Sequence, residues 1–381
     1  MSKSSGMRKS SKGNPWHDAK GRFCHGPEAR TDTWGNPITE EQREEAVCRS
    51  EKSDLEYKAR TIARISNYEA EQRKKSFEAI VNGDYTEEDI AVLEKESEYQ
   101  EELLRKHSGD HTEIPAVELE RRNEFRIAAV AYIKSRGEET IDKYAKGDQW
   151  DTSRMREQTP IIREYLEKAE QVPHNGECLI SGGLGGAGKS TVLRKCLGIN
   201  DKADYITINA DDIKEEMAKR NMIPTFRGLT PMECSELVHE EASDLSKRVM
   251  KKAVASKTNV ILDITMSSYG SVKGRCELLK KNGYVSIQPV FVDISPETSR
   301  TRALNRYRRG MNKYTVKEDG CGGRPLPGHV INSNLTEGKY KSKNAETLVA
   351  LANDGWFTDT PIVYDNEGDG PVKIEWTDFI R

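Results

Sequence analysis

The first half of the chain carries hydrophobic residues at helical spacing, set among many charged ones. Between residues 39 and 106 this pattern predicts two helices joined by a turn at residues 82–84. Thr86, followed three residues later by Asp89, is a capping pattern that begins the second helix. The apolar stripes are narrow, which predicts helices that are mostly solvated. Their members are Leu55, Ala59, Ile62 and Ile65, then Ile90, Leu93, Leu103 and Leu104.

Two more helices are expected before residue 172. One spans about residues 116–136, with Phe125 and Ile133 on one side, and one spans about 151–171, where Pro160 is expected to interrupt it. Residues 39–171 therefore read as a helical hairpin or small bundle. Residues 1–38 are rich in Ser, Lys, Gly and Pro and predict a disordered basic arm. Within that arm, residues 17–23 resemble a segment found near the ends of many phage-encoded proteins.

The pattern changes after Pro173, where short apolar runs alternate with helical segments. The runs cover residues 178–181, 205–209, 259–263 and 287–292, and the helices cover about 189–197, 211–220, 231–256, 269–281 and 296–309. Strands that alternate with helices predict an α/β domain, over residues 172–381, with a mainly parallel sheet covered on both faces. The domain boundary is expected near residue 172.

Composition narrows the classes of function. The 381 residues include 60 basic and 63 acidic side chains, which leave a formal charge of −3. This balance gives no overall attraction to nucleic acid, which is therefore not an expected partner. The seven cysteines are scattered and lack the paired spacing of a zinc site, and no apolar run reaches membrane-spanning length. We expect a cytoplasmic protein that does not interact with membranes.

A phosphate-binding motif lies in the second half. Residues 183–190, GLGGAGKS, fit G-x-x-x-x-G-K-[ST] between a predicted strand and a predicted helix. Glycines let consecutive backbone N–H groups face an anion, and the helix N-terminus adds positive charge. The motif predicts ATP bound by Gly183, Leu184, Gly185, Gly186, Ala187, Gly188, Lys189, Ser190 and Thr191. Lys189 would pair with the β- and γ-phosphates, and the Ser190 hydroxyl would bind Mg²⁺.

Carboxylates follow the next two predicted strands. Asp211 is our candidate general base, because a carboxylate at this strand exit would face the γ-phosphate across the cleft. Asp212 is expected to cap the following helix. Asp263 ends its strand as a Walker B aspartate does, so it would bind Mg²⁺ or orient a substrate hydroxyl. Thr265 would either donate to the substrate or only complete the strand.

Arginines crowd the helix predicted at 296–309. Charge runs are usually solvated, but phosphoryl transfer needs positive charge near the β–γ bridge. The candidates are Arg300, Arg302, Arg306, Arg308 and Arg309 of this helix and Arg324 of the following loop. The loop glycines at 310, 320, 322 and 323 are expected to act as hinges of a mobile lid.

Together these motifs resemble the zeta toxin family of toxin–antitoxin kinases, over about residues 177–366. The ordered segments are GLGGAGKS, INADDIK at 208–214, HEEAS at 239–243, VILDIT at 260–265, Arg306-Tyr307 and GRPLPGH at 323–329. The resemblance implies a P-loop kinase-like fold that uses ATP to phosphorylate a UDP-activated amino sugar. It implies that Asp211 is the base, and that Lys214, Asp263 and Thr265 lie near the substrate. It also implies that Arg306 and Arg324 contact ATP phosphates.

The sequence departs from the family pattern at the substrate side. Asp263 stands where the family usually has a glutamate, and Ile264 where it often has a glycine. Other acceptors therefore stay open: a polynucleotide 5′-end, a nucleotide or an antibiotic. The alternative function without catalytic activity is that of a nucleotide-gated interaction protein. The family's antitoxin partner suggests that the helices at 39–150 are an inhibitor in cis. The alternative is a module for oligomerisation or for binding a separate partner.

Overall fold

The computed structural model describes residues 39–147, 149–199, 203–318, 320–326 and 331–381. Contacts divide the chain into two compact units, Met1–Lys75 and Ser76–Arg381. The predicted disordered arm and the phage-like segment lie outside the described residues. The first unit contains most of the long helix α1, where Leu55, Tyr57 and Tyr68 are exposed. None of the described helices has both the length and the apolar character needed to cross a membrane.

Helices occupy the region before residue 172, as predicted. They are α1 Glu40–Asn82, α2 Glu87–Asp110, α3 Ala116–Ser135, α4 Thr140–Tyr144 and α5 Thr152–Ala169, with a short hairpin of β1 Ala145–Lys146 and β2 Gln149–Trp150 before α5. Thr86 caps α2 in a capping box with Asp89, which confirms that prediction. The prediction for Pro160 is wrong, because α5 runs through it without a break.

A six-stranded sheet forms the centre of the second unit. Its strands are β3 Glu177–Gly182, β4 Ile206–Ile208, β5 Val260–Asp263, β6 Ser286–Asp293, β7 Ile362–Asp365 and β8 Val372–Ile374, in the spatial order β4-β5-β3-β6-β7-β8. In this spatial order, each strand from β4 through β7 is parallel to its neighbour, and the edge strand β8 is antiparallel to β7. The prediction of an α/β fold with a mainly parallel sheet is therefore confirmed.

Helices cover both faces of this sheet. They are α6 Lys189–Thr191, α7 Ala210–Lys219, α8 His239–Ala255, α9 Tyr269–Lys281, α10 Pro296–Thr315, α11 Lys343–Asn353 and α12 Trp376–Phe379, with a π turn Val192–Cys196 after α6 and a 3₁₀ helix Pro231–Val238 before α8. Successive side chains of a strand point to opposite faces of the sheet, so the two faces have separate hydrophobic cores. Cys178 and Ile180 of β3 belong to the larger core, while Leu179 between them packs with Ile261 and Val292 in the smaller one.

The helices between Ser76 and residue 171 are part of this unit rather than an appendage. Phe125, Ala129 and Ile161 are buried in the same core as residues of the sheet. The expectation of a mostly solvated bundle is wrong for these helices, because several of their charged side chains are buried in ion pairs. Arg122 and Arg154 are the main examples. The boundary expected at residue 172 lies inside the compact unit and stays a prediction.

Candidate active site

The phosphate loop connects β3 to α6 at the carboxyl edge of the sheet. Gly183, Gly186 and Gly188 have φ values of 126°, 80° and 90°, which favour glycine. A Cβ on Gly183 would lie 2.3 Å from the carbonyl oxygen of Val292. The loop is thus shaped by close backbone packing. Leu184 is buried beneath it, so it contributes backbone groups rather than a side chain.

Polar side chains from α10 and from the end of β7 hold the loop in place. Ser299 Oγ donates to the carbonyl oxygen of Gly185 at 2.7 Å. Asn366 Nδ2 donates to the carbonyl oxygen of Ala187 at 2.7 Å, and Arg302 Nη2 donates to the carbonyl oxygen of Asn366 at 2.7 Å. These contacts occupy carbonyl oxygens of the loop and connect it to α10 and to the residue after β7.

Lys189 and Asp263 meet because β5 lies directly beside β3. Lys189 Nζ lies 3.5 Å from Asp263 Oδ1 and donates to the carbonyl oxygen of Gly183 at 3.4 Å. Asp263 Oδ2 accepts from Asn209 Nδ2 at 2.9 Å. Thr265 supports the loop through its carbonyl oxygen, which accepts from Gly183 N at 3.3 Å. The carboxylate of Asp263 therefore lies next to the phosphate-loop lysine.

Asp211 lies in the first turn of α7. Asn209, not Asp212, caps this helix: its side chain accepts from Asp211 N at 2.8 Å. The expectation that Asp212 is the cap is therefore wrong. An aspartate in a first turn is still favoured by the helix dipole.

The charges around Asp211 are positive. Arg324 Nη1 lies 3.1 Å from its Oδ2, and Lys214 Nζ lies 3.4 Å from its Oδ1. Burial alone would raise the pKa of Asp211, but the charges of Arg324 and Lys214 outweigh burial and lower it. His239 Nδ1 lies 3.1 Å from Lys214 Nζ. Burial, and then the lysine charge, lower the pKa of His239.

Arg306 is the second predicted arginine. It is half-buried on α10, and its Nε has no hydrogen-bond partner among the described residues. Burial and the neighbouring Arg324 both lower the pKa of its guanidinium. Arg306 and Arg324 thus place two positive charges near each other in the cleft, with Asp211 as the neighbouring negative charge. This arrangement is suited to phosphate oxygens.

These groups share one open cleft of about 1470 Å³. Every predicted site residue except Gly183 lines it, namely Leu184, Gly185, Gly186, Ala187, Gly188, Lys189, Ser190, Thr191, Asp211, Lys214, Asp263, Thr265, Arg306 and Arg324. The structure therefore brings together residues that are up to 140 positions apart in the chain. Of the predicted hinge glycines, Gly322 and Gly323 are packed closely against Thr230 and Tyr307, whereas Gly320 has nothing within 4 Å of an added Cβ.

Sequence reasoning missed part of the cleft. Asn209 lies in the INADDIK segment and Asn366 at the end of the matching region, and each follows a strand at the carboxyl edge, but neither was predicted as a site residue. Arg275 on α9 also lines the cleft, and a lone arginine in a helix gives no signal without the fold.

Comparison with known families decides the class of protein. The family model described as zeta toxin matches residues 163–366. The chain belongs to the zeta toxin family. The match begins 14 residues before the segment on which the motifs resemble that family, and it ends at the same residue.

The solved structures that resemble the chain are distant from it in sequence. The chain is similar to a structure from the PezAT chromosomal toxin–antitoxin system of Streptococcus pneumoniae, with 15% identity and a TM-score of 0.42, over 61% of this chain and 83% of that one. It is similar to AvrRxo1-ORF1:AvrRxo1-ORF2, with 15% identity and a TM-score of 0.46, over 64% and 70% of the chains. A search of curated proteins found no match.

Proposed function

We propose that the chain is an ATP-dependent kinase that transfers a phosphate to a sugar hydroxyl of a UDP-activated amino sugar. The observation that carries this proposal is the position of Asp211. Its carboxylate is 43% exposed and lines the same cleft as the phosphate loop. An ionised carboxylate opposite a phosphate cradle is suited to accept the proton of an attacking hydroxyl. A protein that only binds nucleotide has no need of such a base.

The donor side of the cleft fits a nucleoside triphosphate. The loop glycines leave room for backbone N–H groups to approach phosphates, and Lys189, Arg306 and Arg324 supply positive charge along the cleft. Lys189 contacts Asp263, which holds its ammonium group beside the loop at the end of β5. Charge fixed in advance stabilises a transition state without reorganisation.

Magnesium fits the oxygen atoms at the end of β5 and the start of α6. Ser190 offers a hydroxyl and Asp263 a carboxylate whose Oδ1 is buried without a hydrogen bond, and Mg²⁺ prefers such oxygen ligands. The ion would supply charge neutralisation on the β- and γ-phosphates. Within the described ranges, no group of three or more His, Cys, Asp or Glu side chains could hold a metal ion.

The acceptor side of the cleft is polar and has a separate cation. Thr265, Ser268 and Ser271 lead from the end of β5 along α9 to Arg275. Arg275 bonds to Ser271 of its own helix, and no carboxylate of the described residues pairs with it. Burial lowers the pKa of Arg275. An unpaired guanidinium in a cleft suits an acceptor that carries negative charge, as the diphosphate of a UDP-sugar does.

The family context proposes an antitoxin as a partner. Of the residues 39–150 that could inhibit in cis, those from Ser76 onward share the core of the sheet. They are therefore poor candidates for a separable inhibitor. Residues 39–75, or a separate protein, are better ones.

The base assignment is tested with Asp211→Asn in the full chain, with Asp212→Asn as the matched control on the same helical turn. We expect Asp211→Asn to keep ATP binding and to lower transfer by about 10³-fold, in the middle of the range for a general base. The control should keep most of its activity. Full transfer by Asp211→Asn would refute its role as the base.

The acceptor is tested with labelled ATP and a panel of UDP-sugars, nucleotides, oligonucleotides and hydroxylated antibiotics, read by mass spectrometry. We expect the phosphate on the sugar of a UDP-activated amino sugar. Transfer to an oligonucleotide or an antibiotic instead would establish an alternative acceptor. ATP binding with no transfer to any of them would favour the nucleotide-gated interaction protein.

A further inference from the structure

Helix α10, which carries Arg306, packs against helices that precede the family match at residue 163. Tyr307 and Met311 of α10 form a small buried cluster with Leu103 of α2 and Leu119 of α3. Arg302 and Arg306 lie on the cleft side of the same helix. The rotation of α10 about its axis therefore depends on contacts with α2 and α3.

Glu233, in the 3₁₀ helix before α8, is the polar centre of this contact. Its side chain is fully buried. Arg122 of α3 donates from Nε to Oε1 at 2.7 Å and from Nη2 to Oε2 at 2.6 Å, and Tyr307 OH donates to Oε1 at 2.7 Å. Thr230 N donates to Oε2 at 2.8 Å. Three elements that are distant in sequence thus meet on one carboxylate.

The charge of this carboxylate is well compensated. Burial alone would raise the pKa of Glu233, but the charge and hydrogen bonds of Arg122 outweigh burial and lower it. Arg122 is itself fully buried and also donates to the carbonyl oxygen of Gly228 at 2.8 Å. Burial, and then the charge of Glu233, raise the pKa of Tyr307, so its hydroxyl stays a donor. The network is fixed in one protonation state near neutral pH.

The loop that carries Arg324 rests on the same network. Gly322 packs against Thr230, where a Cβ would lie 2.2 Å from Oγ1. Gly323 packs on α10, where a Cβ would lie 2.4 Å from the carbonyl oxygen of Tyr307. Arg306 directly precedes Tyr307, which donates to Glu233. Arg324 directly follows Gly323, which packs against Tyr307.

We propose that Glu233 and Tyr307, held by Arg122, are positioning residues that fix Arg306 and Arg324 in the cleft. The helical segment α2–α3 is then an internal brace of the kinase site. This inference rests on the proposed function, because it assigns Arg306 and Arg324 to phosphate binding. Hydrogen bonds to a buried carboxylate are directional, so they fix the rotation of α10 more closely than apolar packing alone. A displacement of about 1 Å at a catalytic group can cost about 10²-fold in rate.

The first test is Tyr307→Phe in the full chain, which removes one hydroxyl and keeps the ring in its apolar cluster. Tyr205→Phe is the matched control, because Tyr205 OH also donates to a glutamate, Glu177, at 2.9 Å, but at the amino ends of the strands. We expect Tyr307→Phe to lower kcat about ten-fold and to raise the KM for ATP. The KM for the acceptor should not change. Tyr205→Phe should leave all three as in the unmodified chain.

Hydrogen exchange supplies a measurement that does not depend on transfer. In Tyr307→Phe we expect faster amide exchange at residues 306–311 and 321–326, with no such change in Tyr205→Phe. Glu233→Gln removes the charge of the central carboxylate. It should increase both the kinetic effect and the rate of amide exchange relative to Tyr307→Phe. If Glu233→Gln does not fold, Tyr307→Phe alone decides.

Two failures can be told apart. If the unmodified chain transfers phosphate to no acceptor, the proposed function fails, while hydrogen exchange still reports on the brace. If Tyr307→Phe matches Tyr205→Phe in kcat, in the KM for ATP and in exchange, the positioning role is overturned.

Discussion

At the scale of single residues, the cations around Asp211 set the pH range in which it can act as a base. Its pKa is lowered in the folded chain, chiefly because Arg324 and Lys214 outweigh burial. A lowered pKa keeps the carboxylate ionised at neutral pH, and activity is lost only as the pH falls through that value. The acid limb of the rate profile should therefore lie below the usual range of an aspartate.

Arg324→Ala should move this acid limb to higher pH. Removal of the nearest positive charge leaves burial less opposed, so the pKa of Asp211 rises. We also expect a loss of about 10²-fold in rate at all pH values, because an arginine at the phosphates is removed. Profiles of kcat/KM against pH measure both effects. Arg306→Ala is the comparison and should shift the limb less, because Lys214 and Arg324 act more strongly on Asp211. If the acid limb lies at the same pH in the unmodified chain, in Arg324→Ala and in Arg306→Ala, these charges do not set the pKa of Asp211.

Arg275 tests the charge of the acceptor. Arg275→Gln keeps a polar side chain in the cleft but removes its positive charge. We expect a KM for the acceptor about ten-fold higher, as for the loss of one charge-assisted hydrogen bond, with little change in the KM for ATP. Lys281→Gln removes a charge from an exposed position on the same helix and serves as the control. An unchanged KM for the acceptor in Arg275→Gln would mean that Arg275 does not contact it.

At the scale of elements, the phosphate loop depends on space as much as on charge. Gly183→Ala places a Cβ against the carbonyl oxygen of Val292 at a φ of 126°. Gly198→Ala is the matched control, since Gly198 has a φ of 66° but nothing within 4 Å of the added Cβ. We expect Gly198→Ala to lower the free energy of unfolding by about 1 kcal/mol and Gly183→Ala by about 3 kcal/mol. Denaturant unfolding measures both. Equal losses would show that steric contact adds nothing.

Local patterns predicted most elements but few of their contacts. The strands β3 to β6 and the helices between them follow from apolar runs near each other in sequence, whereas β7 and the helix α11 before it were not predicted from such runs. The motif at 183–190 likewise contains its whole signal in eight residues. By contrast, Arg122 and Glu233 are 111 positions apart. Each reads as an ordinary charged residue of a polar helix until the fold pairs them.

The same reasoning explains which parts of the site were predicted. Asp211 and Lys214 lie three residues apart on one helix, so their proximity follows from helical geometry. The contact of Lys189 with Asp263 requires knowing that β5 lies beside β3. The role of Gly323 is opposite to the expected one: it allows close packing on Tyr307, where a hinge was expected. A glycine in a sequence does not reveal whether it provides freedom or a close approach.

For the whole molecule, the compact unit that begins at Ser76 defines which part of the chain can be removed. Phe77 and Ile80 at its start are buried with Leu93 and Phe125 in the core that reaches the sheet. Arg122 on α3 is the buried partner of Glu233. Loss of one partner of a buried ion pair costs about 3–5 kcal/mol. We therefore expect the unit to need the helices from α2 to α4 in order to fold.

Two truncated chains test this division. We expect residues 76–381 to unfold in a single cooperative transition and to retain ATP binding, because the core of the unit is complete. Residues 151–381 lack Phe125, Ala129 and Arg122, so they should aggregate or unfold without cooperativity. Circular dichroism on heating and direct ATP binding make the comparison. A kinase rate for 76–381 above that of the full chain would indicate that residues 1–75 inhibit in cis, and an equal rate would exclude it. Cooperative folding of residues 151–381 with full ATP binding would show that the helices before α5 are dispensable, against both the shared core and the proposed brace.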